Sequence, residues 1–282
     1  MGKEVKQILK YPGAKWRLAP WIISFFPEHH SYLEPFFGSG AVLFRKERSD
    51  IETINDLDGN VINFFECVKN DPEKLAHEIY FTPYARDVYE RAYTIQKTKM
   101  FKDRYEQAAS FLICCNMAHG FRTSGTHVGW KEDIAGRERA YAAMYWTSIP
   151  EALIDAADRL RGVQVENKPA VNLISKFNFA DVLIYADPPY CHTTRTGGKQ
   201  YYHEMTDDDH LELLHTLKRH KGPAIISGYS SQLYEEELRD WHRETKMTTN
   251  LLAQAREEVV WMNFEPMDQI SLFSDCPHPA SK

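Results

Sequence analysis

The residues best suited to chemistry are Asp187-Pro188-Pro189-Tyr190, directly after the apolar run Val182-Leu183-Ile184-Tyr185-Ala186. Two consecutive prolines fix φ and remove two N–H donors. What remains is a rigid corner rich in acceptors: the Asp187 carboxylate, the Pro188 carbonyl and the aromatic face of Tyr190. An amine nucleophile carried on a ring needs acceptors for its N–H protons and a surface to hold the ring. This corner offers both, at the carboxyl end of a strand, where open α/β sheets bind ligands.

A second group suits a nucleotide-like ligand. In Phe36-Phe37-Gly38-Ser39-Gly40 a glycine turn between strand and helix lets backbone N–H groups approach such a ligand closely. Leu43 stands where a dinucleotide fingerprint would carry its third glycine, which disfavours a nicotinamide enzyme. Asp56 lies 18 residues past Gly38, at the end of the run Ile51-Glu52-Thr53-Ile54-Asn55. An acidic residue at that point of a doubly wound fold accepts hydrogen bonds from ribose hydroxyls; a helix N-cap is the plain alternative. Tyr11-Pro12-Gly13-Ala14-Lys15-Trp16 places a lysine beside a glycine turn, and alone reads as a solvated loop.

In this order, the four segments resemble the Dam-type family of adenine-specific DNA methyltransferases. That family carries a Y-x-G-G-K-like element, E-P-F-x-G-x-G, an acidic strand end and D-P-P-Y. Ala14 replaces the frequent second glycine of the first element. Ser227-Gly228-Tyr229-Ser230 and Arg256-Glu257-Glu258-Val259-Val260-Trp261-Met262-Asn263 also resemble family segments, so the likeness runs along essentially the whole chain. It implies a Rossmann-like fold of S-adenosylmethionine-dependent methyltransferases, with a mostly parallel seven-stranded sheet and an inserted, mainly helical DNA-recognition subdomain. It implies that Tyr11, Lys15, Glu34, Phe36, Gly38, Gly40 and Asp56 bind the cofactor, with Asn172 against its adenine. Asp187, Pro188 and Tyr190 would hold a flipped adenine and act in catalysis, Asp187 lying beside the cofactor as well. The implied reaction moves a methyl group to adenine N6, and no metal is needed. Cytosine N4, adenine in RNA and a protein side-chain amide remain as other acceptors on the same corner. A catalytically silent DNA-binding relative remains as another class.

The elements that must position these residues follow from periodicity. The segment Ser31–Phe44 reads as a short apolar strand, a glycine turn and a helix start, and further strands are expected at 51–56, 163–166, 182–186, 224–228 and 259–264. Helices are expected over 58–68, 104–115, 151–161 and 207–218, the last capped by Thr206. Alternating strands and helices indicate an α/β fold with a mostly parallel sheet. Between about Asp71 and Pro150 the β-branched runs vanish and charged and aromatic residues alternate. The expected organisation is therefore a catalytic domain over 1–70 and 151–282, with a target-recognition insert over 71–150.

The net charge of −6 opposes a nucleic-acid partner on average, so binding needs a local basic face. The insert supplies candidates in Arg86, Lys97, Lys99, Lys102, Arg122, Arg137 and Arg139, with Asn116 placed to read base edges. Arg195 and Lys199 follow in the loop after the proline corner, which could close over the base. The expected partner is double-stranded DNA. No apolar run reaches the ~18–20 residues a bilayer requires, and five cysteines without C-x-x-C spacing suit a reducing compartment, so a cytoplasmic location is expected.

Overall fold

The structure is a computed structural model that describes residues 5–120, 126–132, 142–191, 201–249 and 255–266. Seven strands form one sheet: β1 (Ser31–Glu34), β2 (Ile51–Asn55), β3 (Gln164–Glu166), β4 (Val182–Ala186), β5 (Ala224–Gly228), β6 (His242–Thr249) and β7 (Ala255–Met262). Their order is β3-β2-β1-β4-β5-β7-β6. The pairs from β3 through to β5 are parallel, while β7 runs antiparallel to both β5 and β6. The chain turns outward in both directions from β1 and β4. A crevice therefore opens between them at their carboxyl ends.

Strand alternation sends successive side chains to opposite faces. Tyr32, Leu183, Tyr185 and Ile225 enter one hydrophobic cluster, and Leu33, Val182, Ile184 and Ala186 enter the other. The first cluster is covered by α2 (Gly59–Asn70), α5 (Arg104–Met117) and α7 (Ile149–Leu160), and it takes in Ile8, Leu9 and Ile22 from the N-terminal segment with α1 (Ala19–Ile23). It also receives Leu75 and Ile79 of α3 (Pro72–Tyr80), Tyr89 of α4 (Arg86–Thr98) and Trp146 of α6 (Ala142–Thr147). The second cluster is covered by α8 (Ala170–Lys176), α9 (Asp207–Lys218) and α10 (Gln232–Glu237). Thr206 and Asp209 close a capping box at the start of α9.

The expected helix after Gly40 is little more than one turn. Phe44 N–H bonds Gly40 O and Lys46 N–H bonds Val42 O, and no helix follows. Side-chain anchoring halts it: Phe44 stacks on Trp16, and Lys46 is drawn to Glu52 at 2.7 Å. Glu52 is itself gripped bidentately by Arg159 at 2.6 and 2.8 Å. This buried triad ties β2, α7 and the turn after the glycines together. Strand β6 was not expected. Its sequence, His-Arg-Glu-Thr-Lys-Met-Thr-Thr, is polar on both faces, as suits a charged edge strand. Among the described residues, no helix is long and apolar enough to cross a membrane.

Candidate active site

The crevice between β1 and β4 is a cavity of about 350 Å³. Its walls bring together Tyr11, Lys15, Glu34, Phe36, Gly38, Asp56, Asp187, Pro188 and Tyr190, which lie in four distant stretches of sequence. Each is held by local structure. Asp56 follows β2, and its Oδ2 accepts from Gly38 N–H at 2.8 Å while Oδ1 accepts from Asp58 N–H at 2.9 Å. The glycine turn is thus latched to the acidic strand end. Gly38 has φ +49°, a left-handed conformation that disfavours other residues. Gly40, at φ +70°, lies behind the wall rather than in it. A Cβ there would meet Phe37 at 2.5 Å and Phe44 at 2.7 Å, so its glycine is a packing requirement. Ser39 is fixed from outside by Trp16 Nε1–H at 3.1 Å.

The loop after β3 completes the wall beside Asp56. Asn55 Nδ2–H donates to Pro35 O and Lys168 O, and Asn55 Oδ1 accepts from Lys168 N–H. This lock presents Pro169, Ala170 and Val171 to the cavity. Asn172 does not reach it: one residue further along α8, it points to solvent. The expected polar contact there is replaced by an apolar surface.

At the proline corner two donors converge on one oxygen. Lys15 Nζ lies 3.1 Å from Asp187 Oδ1 and donates to Gly13 O at 3.1 Å. Ser227 Oγ–H, from the end region of β5, donates to the same Oδ1 at 2.9 Å. Among the described residues Asp187 Oδ2 has no hydrogen-bond partner. The Tyr190 ring is held at three points. Lys15 Nζ sits 4.6 Å from its centroid, Tyr229 meets it edge-on at 4.5 Å, and its hydroxyl donates to Glu258 Oε2 at 2.8 Å.

The electrostatics are lopsided. Glu34, Asp56, Asp58, Asp187, Glu204, Asp209 and Glu212 line the cavity, against a single lysine, Lys15. Burial pushes the Glu34 carboxyl up to about 8, although the Tyr32 hydroxyl at 2.8 Å opposes the shift. Burial likewise raises Asp56 to about 7 against the backbone N–H groups of Asp58 and Gly38. Asp187 is raised by burial and held back by Lys15 and Ser227. Burial would lower the Lys15 ammonium, but Asp187 and then Glu258 hold it above its ordinary range, so it stays charged. A pocket with this surplus of carboxylates suits a ligand that brings positive charge and hydroxyl donors.

Several contributing residues give no local signal in the sequence. Asp58 caps α2 through Asn60 N–H and accepts from Tyr11 OH at 3.3 Å. Tyr201, His203, Glu204 and Met205 line the cavity from the segment leading into α9. Glu258 arrives from the antiparallel strand β7, 68 residues past Tyr190.

The basic candidates are scattered. Arg86 pairs with Glu132 at 3.0 Å and lies over Trp130. Lys97 and Lys102 are exposed. Lys99 caps the end of α4 at φ 55°, and its Nζ reaches Tyr202 OH at 3.2 Å, close to the cavity mouth. Asn116 is buried at 2 % exposure, and its Nδ2–H groups serve Ile8 O and Leu112 O, so it faces the core and reads no base edge. The surrounding Phe-Leu-Ile-Cys-Cys run buries that part of α5 on every side. Arg122, Arg137, Arg139, Arg195 and Lys199 lie outside the described residues, as does most of the loop after the corner.

Comparison with known proteins agrees with the geometry. A DNA adenine methylase from Salmonella typhi is 23% identical over 254 residues, covering 87% of both chains. One from Escherichia coli K12 is 23% identical over 256 residues, again covering 87% of each. A DNA N-6-adenine-methyltransferase of Escherichia phage P1 is 26% identical over 223 residues, 75% of this chain and 28% of that longer one. The D12 class N6 adenine-specific DNA methyltransferase family matches residues 11–262, and this chain belongs to it.

Proposed function

We propose that this chain methylates N6 of an adenine flipped out of double-stranded DNA, with Asp187, Pro188 and Tyr190 holding the base. The cofactor of the family is S-adenosylmethionine. When bound, it supplies a methyl group activated on a positively charged sulfur. The residues present suit it: a surplus of carboxylates for a cation, Asp56 for ribose hydroxyls, and an apolar rim at Pro169–Val171 for its adenine. Glu34, Phe36 and Gly38 would form the pocket at its methionine end, with Tyr11 and Lys15 alongside.

One observation carries the reading of the corner. Among the described residues both donors to Asp187 use Oδ1, so Oδ2 is left as a free acceptor on a residue that lines the cavity. An exocyclic amine is a poor nucleophile because its lone pair is delocalised into the ring. Asp187 Oδ2 and the Pro188 carbonyl accept its two protons and draw the nitrogen towards tetrahedral geometry. Acceptors fixed before reaction stabilise the positive charge that develops on nitrogen. Lys15 and Ser227 keep the carboxylate from turning, which preserves the approach geometry. Extruding the base costs a few kcal/mol, and stacking on Tyr190 offsets part of it. The acidic interior repels phosphate, so the backbone stays at the rim while the neutral base enters. Lys99 and Lys102 at the rim, with Arg86 and Lys97, contact the duplex, and residues 71–150 act as the target-recognition insert. A cytoplasmic location accords with access to the chromosome or to incoming DNA.

The test separates binding from transfer. Asp187→Ala and Asp187→Asn lower the methylation rate by about 100-fold or more, the scale for losing a preorganised electrostatic partner. Cofactor affinity, measured by calorimetry, changes only a few-fold. Substantial methylation by either variant would remove Asp187 from the chemistry.

A further inference from the structure

Glu258 is a conspicuous expense for the fold. It is a carboxylate at 7 % exposure, and among the described residues no cation lies within ion-pair distance of it. Among the described residues it accepts one hydrogen bond, from the Tyr190 hydroxyl at 2.8 Å. Burial raises its pKa, while Lys15 and the Tyr190 hydroxyl pull it back. A buried charge without an ion pair costs several kcal/mol, and an apolar residue at this point of a sheet would be more stable. Neighbouring β7 residues, Val259, Val260 and Trp261, are apolar and simply pack. A role in stability therefore does not explain Glu258.

We infer that Glu258 is a positioning residue for base methylation: it holds the Tyr190 phenol so that the ring presents a fixed stacking platform beside Asp187. The inference rests on the proposed reading of Tyr190 as the base platform. Three features support it. The Tyr190 ring has contacts to Lys15 and Tyr229 that constrain its tilt, but the hydroxyl is the point farthest from the backbone, and there Glu258 is the anchor. Strand β7 pairs rigidly with β5, through Gly228 with Val259 and Ser227 with Val260. The same two strands thus supply Ser227 to Asp187 and Glu258 to Tyr190, so carboxylate and ring are set from one rigid backing. Finally, a phenol that donates to a carboxylate gains electron density in its ring. Such a ring attracts a base that is acquiring positive charge more strongly than a neutral one. The benefit falls on the transition state and so on kcat.

The experiment compares Glu258→Leu, Glu258→Gln, Tyr190→Phe and Tyr190→Phe/Glu258→Leu in methylation of unmethylated plasmid DNA, with wild type alongside. Glu258→Leu is expected to lower kcat by about tenfold, the scale of one charge-assisted hydrogen bond. KM for the cofactor stays within a few-fold. Tyr190→Phe causes a similar loss, and the double variant is no worse than either single one, because both remove the same link. Glu258→Gln keeps an acceptor for the phenol but not the negative charge, and recovers part of the rate. Multiplying losses, or a wild-type rate in folded Glu258→Leu, would overturn the inference. If Glu258→Leu does not fold, Glu258→Gln and Tyr190→Phe still decide it: a Gln variant as slow as Phe contradicts positioning by the hydrogen bond. A wild-type protein that leaves plasmid adenine unmethylated would instead overturn the reading of the site itself, and this inference with it.

Discussion

Asp187 gives Oδ1 to both Lys15 and Ser227, while Oδ2 has no hydrogen-bond partner among the described residues. Around it, Glu34 and Asp56 sit in the ligand-free protein with carboxyls raised to about 8 and about 7 by burial. A positively charged ligand with hydroxyl donors favours both ionised forms, so its binding must lower both pKa values and expel protons. The sign follows directly. Below about pH 7 both groups are protonated and binding has to deprotonate them. Cofactor affinity therefore rises between about pH 6 and 8 and levels off above that. Calorimetry in buffers of different ionisation enthalpy should register proton release in the same window; a flat affinity and no release would mean these carboxylates do not meet the ligand. At this scale, legibility tracked local constraint. Asp187–Tyr190 and Gly38 are readable because proline and glycine restrict the backbone wherever they stand. Glu258 was not, because its meaning depends on a strand pairing that no local pattern encodes. Asn172 rests on the resemblance alone, which carries no side-chain direction: on α8 it is Ala170 and Val171 that line the cavity.

The elements act as clamps for those residues. The Lys46–Glu52–Arg159 triad joins the turn after Gly40 to β2 and α7, and so to both Gly38 and Asp56. Removing Glu52 takes away the carboxylate that both cations share, and leaves Lys46 only the neutral acceptors Glu47 O and Ser49 Oγ. Glu52→Ala is expected to destabilise the protein by about 3–5 kcal/mol in denaturant unfolding. A loss near zero would show that the triad is solvated and does not fix the turn. Most elements were legible. Thr206 signals the start of α9, and the apolar runs at 182–186 and 224–228 mark β4 and β5. The misses have physical causes. Strand β6 has no apolar alternation because it lies at the edge and packs little on either face. The expected helix after Gly40 was overridden by the pull of Glu52 and the stacking on Trp16.

Across the whole molecule, a chain of net charge −6 must bind a polyanion through a confined basic surface. Lys99 and Lys102 lie at the tip between α4 and α5, and Lys99 touches Tyr202 near the cavity mouth. If they contact phosphates, each contributes counterion release. Lys99→Ala and Lys102→Ala should each weaken DNA binding and reduce the slope of log affinity against log salt by about one. Unchanged slopes would move the DNA face elsewhere on the surface. The sheet order itself was not readable. Parallel strands far apart in sequence leave no local trace of which neighbours which, although the α/β alternation indicated the class.

The most direct measurement of the central claim is the identity of the methylated base. The protein is incubated with labelled S-adenosylmethionine and unmethylated plasmid DNA, the DNA is digested to nucleosides, and the labelled product is identified by mass. The Asp187 corner, in a chain of an N6 adenine-specific family, predicts N6-methyl-2′-deoxyadenosine as the labelled product. Label in N4-methyl-2′-deoxycytidine would mean the corner holds a different base. No label in DNA, from protein that binds the cofactor, would contradict the account.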